Sequence, residues 1–146
     1  MNKNDPPVVV EYMYDASVKS VWDAITQIDQ MHQWYFDNIS AFEPTVGFET
    51  QFTVESQGRK FHHQWKVTEV IPLKKIKYNW KYAGYAGDSD VIFELFSKNS
   101  STMLRVTNQI LESFPDNIPE FTRDSCITGW TFLIKERLKE FLEKST

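Results

Sequence analysis

Gly129-Trp130-Thr131-Phe132-Leu133-Ile134-Lys135-Glu136-Arg137-Leu138 is the stretch on which the fold turns. It sits within an apolar stripe, Ile127, Trp130, Ile134, Leu138 and Phe141, whose steps of three and four mark one face of a helix made to lie on a sheet. A second helical anchor stands near the front, where Val21-Trp22-Asp23-Ala24-Ile25 leads into Met31-His32-Gln33-Trp34-Tyr35-Phe36. Ser17 reads as the N-cap of a helix over 18–27, and Asp29 as the cap of a second, shorter one through Trp34. Between the anchors nearly everything has a two-residue period.

That middle region reads as a meander of strands. Val and Tyr enrichment predicts a first strand over 8–14. Phe48, Thr50, Phe52 and Val54 alternate with Glu49, Gln51, Thr53 and Glu55, and Ser56-Gln57-Gly58 supplies a hairpin turn. Phe61, His63, Trp65 and Val67 share one face of the next strand. In 75–82 the separation is cleanest, with Ile76, Tyr78, Trp80 and Tyr82 opposite Lys75, Lys77, Asn79 and Lys81. A strand over 91–96, apolar except for Glu94, is joined through Lys98-Asn99-Ser100-Ser101 to a last strand over 103–111. Asn117-Ile118-Pro119-Glu120 resembles a capping box before the closing helix. The expected fold class is α+β, one antiparallel sheet of about six or seven strands folded around the C-terminal helix, with two short N-terminal helices and room for a pocket between. Met1-Asn2-Lys3-Asn4-Asp5-Pro6-Pro7 reads as a short mobile tail, and 8–146 as a single domain.

Composition narrows the function. A net charge of -4 argues against nucleic acid or an anionic membrane as partner. No apolar run is long enough to span a bilayer. The single cysteine, Cys126, excludes an internal disulfide and, with no apolar leader at the start, points to a cytoplasmic protein. Aromatic residues make up 15% of the chain (11 Phe, 6 Tyr, 5 Trp), enough rings either to fill a large core or to line a cavity. Trp22 and Trp130 stand where helices are pinned to the sheet. Trp34, Tyr35, Phe36, Trp65, Tyr78, Trp80 and Phe121 are the candidates for cavity wall or rim.

Few polar residues invite a chemical role. His62 and His63 point to opposite faces of their strand, so they cannot share a metal, and no spaced Cys/His set is present; no metal and no cofactor are expected. His63 is either a hydrogen-bonded core histidine or a ligand contact. Asn108, in register with Leu104 and Val106, is either paired in the core or left to meet a ligand. Ser125-Cys126 lies in no nucleophile elbow, and Cys126 reads as a small residue where the helix passes the cavity opening. Phosphate-binding loops are absent. The alternation of Lys and aromatic residues over 74–82 splits between two faces, unlike a single-strand-binding groove.

The residues also carry a family resemblance. Ala16-Ser17-Val18-Lys19-Ser20-Val21-Trp22-Asp23-Ala24-Ile25-Thr26 resembles the opening helix of the SRPBCC, or START-like, superfamily. Trp34, Pro44-Thr45-Val46-Gly47, Glu69-Val70-Ile71-Pro72, Tyr78-Asn79-Trp80 and Gly129-Trp130 with Leu133 and Leu138 are similar, more narrowly, to the C-terminal domain of the activator of the heat-shock-protein-90 ATPase. The chain departs from that pattern at Phe48, where a second glycine is common, and at Asn108, where a histidine often follows. The resemblance implies a helix-grip fold, a curved antiparallel sheet wrapped around the C-terminal helix and enclosing a mostly apolar cavity. It supplies no catalytic residue.

The expected function is binding of a small apolar or aromatic molecule in that cavity, through Trp34, Tyr35, Phe36, His63, Trp65, Tyr78, Trp80, Asn108, Phe121 and Cys126. Two alternatives stand beside it: docking on a heat-shock chaperone, and a cyclase- or hydrolase-type reaction in the same cavity. The resemblance associates chaperone activation with a further N-terminal domain, for which this chain has no room. Monomer and homodimer are both open.

Overall fold

Tight turns fix the order of the sheet. The computed structural model describes residues 1–144, with strands β1 (Val8–Tyr14), β2 (Glu49–Ser56), β3 (Arg59–Ile71), β4 (Lys75–Tyr82), β5 (Asp88–Lys98) and β6 (Ser101–Glu112). Gln57 and Gly58 both take positive φ (49° and 80°), the two-residue hairpin geometry whose twist matches the strands it joins. β2 to β6 therefore lie side by side as an antiparallel meander. β1, carried across by helices α1 (Val18–Thr26) and α2 (Ile28–Trp34), pairs with β6, giving the order β1-β6-β5-β4-β3-β2 in a curved sheet. On β2 the free edge is covered: Asn38 donates to the Thr53 carbonyl and Ser40 Oγ to that of Gln51, 2.8 Å away.

A bulge at Thr68 resets the alternation of β3. Before it, Phe61, His63, Trp65 and Val67 face inward; after it, Val70 opposes Ile76, while Glu69 is turned outward to Lys75, 3.1 Å away. The inward faces of β4, β5 and β6 are buried as their period requires, with Ile76, Val91, Phe93, Leu104 and Val106 at their centre.

The C-terminal helix consists of α3 (Arg123–Phe132), a wide π turn (Leu133–Arg137) and α4 (Leu138–Lys144), 22 residues running without a break. Its buried stripe is Trp130, Ile134, Leu138 and Leu142; each such side chain removed from water contributes about 1.5–3 kcal/mol. This differs from the expected stripe at both ends. Ile127 is 38% exposed, and Leu142 is buried where Phe141 is only half-buried. Repeated steps of four overrun a straight α-helix by about 40° each. The wide turn rotates less per residue and takes back part of that drift, which brings Leu142 onto the face. The Tyr14 hydroxyl donates to the Ile134 carbonyl within this turn (2.5 Å), the kind of side-chain intrusion that widens a helix locally.

Caps also differ in part from the sequence reading. Ser17 does cap α1, its Oγ accepting from Ser20 N at 3.1 Å. Asp29 does not cap α2; it lies in the first turn, favoured there by the helix dipole, after Gln27. Asn117-Glu120 forms no capping box either. A 3-10 turn (Pro119–Phe121) intervenes and Thr122 caps α3, accepting from Ser125 N at 3.2 Å. Residues 1–7 lie along the segment after β6: Phe114 N donates to the Met1 carbonyl (2.9 Å) and Lys3 N to Ser113 Oγ (3.0 Å).

Gly87 takes φ +118°, and a Cβ there would stand 2.3 Å from Cδ1 of Phe114. Gly87→Ala combines backbone strain with overpacking and is expected to cost about 2–4 kcal/mol in urea unfolding. A loss below about 0.5 kcal/mol would mean that the Phe114 ring moves freely aside.

Candidate ligand pocket

Where α1 and α2 lie under α4, the space between helix and sheet is filled. Towards α3 neither N-terminal helix reaches, and there a cavity of about 400 Å³ remains. Its walls are the end of β2 (Val54, Ser56), the start of β3 (Phe61, His63), the end of β4 (Trp80, Tyr82), Ser89, Asn108, and α3 from Ser125 to its junction with the wide turn. Phe36, Phe114 and Phe121 close the sides.

Six of the ten residues proposed from sequence line this cavity: Phe36, His63, Trp80, Asn108, Phe121 and Cys126. The other four lie behind it, in the filled half. Trp34 is fully buried with its indole N–H on the Ala24 carbonyl at 2.7 Å, and Tyr35 and Tyr78 share a hydroxyl–hydroxyl bond of 2.8 Å. Trp65 is wedged among Tyr35, Phe52, Tyr78 and Trp80. Position along the strand decides between the groups, since both sit on inward faces. Tyr82 and Phe61 belong to the same inward sets and line the cavity because they stand at the strand ends nearest α3, a cue already present in the alternation. Phe114 follows β6 in an irregular segment and gave no periodic signal.

Asn108 joins sheet to helix. Its Oδ1 accepts from Trp130 Nε1 at 3.1 Å and from the Cys126 thiol at 3.4 Å, while Nδ2 reaches the Asp90 carbonyl only at 3.5 Å, the limit of a useful bond. Its oxygen is thus paired in the core, and its amide group is largely unspent on the cavity wall. Cys126 is not poised for nucleophilic work: burial pushes its thiol up to about 11.

His63 is 4% exposed and stacked on Phe52, with ring centroids 4.7 Å apart. Its Nδ1 lies 3.0 Å from the Phe61 carbonyl. A carbonyl only accepts, so Nδ1 carries the proton. Burial pushes the imidazole down to about 4, against a smaller opposing effect of that bond, so the ring is neutral near pH 7 and Nε2 offers a bare lone pair. Nε2 has no protein partner among the described residues. His62, on the outer face, is bonded to Thr53 Oγ1 and Gln51 Oε1 instead. Among the described residues no three His, Cys, Asp or Glu side chains converge as metal ligands would.

At the rim, Glu120 receives Arg59 through two bonds (2.9 and 3.0 Å) and Ser56 Oγ at 2.9 Å, strapping the β2–β3 hairpin to the approach to α3. The Arg59 bond holds the Glu120 carboxyl below the usual carboxylate range. Among the described residues the buried indole N–H groups of Trp65 and Trp80 meet no acceptor in good hydrogen-bond geometry, so ring packing rather than hydrogen bonding seats them.

A family model described as Activator of Hsp90 ATPase homolog 1-like protein matches residues 15–143. Among solved structures, a protein designated MLL2253 from Mesorhizobium loti is similar at 24% identity and a TM-score of 0.77, over 97% of this chain and 99% of that one. The Aha1 dimer from Colwellia psychrerythraea is similar at 25% identity and 0.70, over 95% and 97%. DynU16, a protein in the dynemicin biosynthetic locus, is similar at 24% identity and 0.75; 97% of this chain is covered, but the chain spans about half (49%) of DynU16. No curated protein matches the sequence. Among the described residues no helix is long and apolar enough to cross a membrane.

The buried neutral histidine has a consequence for stability. Below the unfolded value of 6.5 the unfolded chain takes up the proton first, so stability falls as pH drops from there to the folded value of about 4. The loss amounts to about 3 kcal/mol. Urea unfolding between pH 7 and pH 4 should therefore show a steeper decline for wild type than for His63→Phe. Parallel curves would mean that His63 is protonated without cost.

Proposed function

The chain belongs to the Activator of Hsp90 ATPase homolog 1-like family, and from that premise we propose that it is a receptor for a small apolar or aromatic molecule, held between the sheet and α3. One observation carries the proposal: the cavity of about 400 Å³ has mostly apolar and aromatic walls with a few polar groups the protein leaves unpaired. That combination of volume, apolar lining and sparse polar tethers is what small-molecule sites present. The place of DynU16 in a biosynthetic locus accords with a fold that handles small molecules. Micromolar affinity needs only about -8 kcal/mol, within reach of a buried aromatic ligand.

Cys126 lies on the cavity wall and is only half-buried, so a larger side chain can enter the space without disturbing the stripe formed by Trp130, Ile134, Leu138 and Leu142. Titration of aromatic and fatty ligands, read by tryptophan emission, is expected to give saturable binding to wild type and at least tenfold weaker binding to Cys126→Trp, with unchanged circular dichroism. A parallel pull-down and ATPase assay with the host heat-shock chaperone tests the other reading. Robust stimulation by this chain with no saturable ligand would assign it to protein interaction.

A further inference from the structure

The unpaired polar groups of the pocket are arranged as a pair. The His63 and Tyr82 rings meet edge to face with centroids 4.8 Å apart, and both line the cavity. His63 is turned so that Nδ1 is spent on its own strand, which leaves Nε2 on the far side of the ring as an acceptor. Stacking on Phe52 holds that orientation. Beside the Tyr82 hydroxyl stands the Trp80 indole, a group that only donates, so the phenol's own proton is left to give, and burial keeps it in place. Of the charged groups on the lining, Glu120 is occupied by Arg59 and Ser56, and the Met1 ammonium donates to the Phe121 carbonyl at 2.7 Å.

An acceptor beside a donor selects among ligand groups. A carbonyl or ether oxygen satisfies Tyr82 but turns one lone pair towards another at His63. A carboxylate does the same while carrying a charge into an apolar cavity, which is costlier still. A hydroxyl satisfies both, since it donates and accepts.

We propose that the ligand is an uncharged molecule with an aromatic or alicyclic body and a hydroxyl group, the hydroxyl giving its hydrogen bond to His63 Nε2 and accepting one from Tyr82. The proposal rests on the pocket reading above and adds the chemistry of the ligand's polar end. Asn108 Nδ2, nearly unspent on the wall towards α3, offers a second donor to any carbonyl elsewhere on the same molecule.

The test is calorimetric titration at pH 7.5 with four probes of one body: 2-naphthol, naphthalene, 2-methoxynaphthalene and 2-naphthoate. 2-Naphthol is expected to bind at least tenfold more tightly than the other three. His63→Phe should erase that preference while naphthalene still binds, and Tyr82→Phe should reduce it severalfold. In wild type, nitrogen NMR should show an unprotonated His63 Nε2 whose signal shifts with 2-naphthol and not with naphthalene. If Tyr82→Phe alone folds, the loss of preference and the Nε2 signal of wild type decide the matter. Equal affinity for 2-naphthol and naphthalene, or tightest binding of 2-naphthoate, would overturn the hydroxyl assignment and leave the pocket standing. Failure of all four probes to bind would overturn both.

Discussion

The bond from the Trp130 indole to the Asn108 carboxamide sets the spacing between the C-terminal helix and the sheet, and the rest of the molecule is arranged around that spacing. The indole is hemmed by Tyr35, Trp80 and Phe93, so helix and sheet cannot close further without driving rings together. On one side of this strut, Ile134, Leu138 and Leu142 fill the gap with the help of α1 and α2. On the other side the same gap persists with nothing to fill it. The cavity is therefore what the strut leaves over: a helix held at ring's width from a curved sheet, with the supporting helices on one half only.

Polarity follows the same division. In the filled half, the Trp34 indole is bonded to the Ala24 carbonyl and the Tyr35 and Tyr78 hydroxyls to each other, while the Trp65 indole N–H is held by ring packing alone. In the open half, among the described residues, His63 Nε2 is left unpaired, Asn108 Nδ2 nearly so, and the Tyr82 hydroxyl keeps its own proton to give. Unpaired polar groups within a folded domain are costly, and a cavity wall that carries both an acceptor and donors still to be satisfied is a sign of a site rather than of poor packing.

Much of this could be read from the chain alone, because most of the fold is periodic. The inward faces of β3 and β4 were legible down to single residues, since a pleat admits only two directions. The helical stripe was legible in its middle, at Trp130, Ile134 and Leu138, and misplaced at its C-terminal end because no sequence rule places a π turn. The cavity was legible in its ingredients but not in its extent. Trp65 and Trp80 are neighbours on one face with the same chemistry, yet only Trp80 reaches the cavity. What separates them is how far α2 extends beneath the sheet, a tertiary distance that local patterning does not encode. Thr68 and its bulge had no signal either, and with it went the direction of Glu69.

The cover over the outer edge of β2 bears on how copies of the chain meet. An open sheet invites a second one to continue it, and the carbonyls of Gln51 and Thr53 are the groups that would receive the new strand. Ser40 and Asn38 already occupy them with side-chain donors from the link that follows α2. An incoming strand would have to evict two formed bonds before gaining its own, so growth by edge pairing at this end is a losing exchange. The link between α2 and β2 thus works as a stopper on this edge of the six-stranded sheet, where fibril-like growth would otherwise begin.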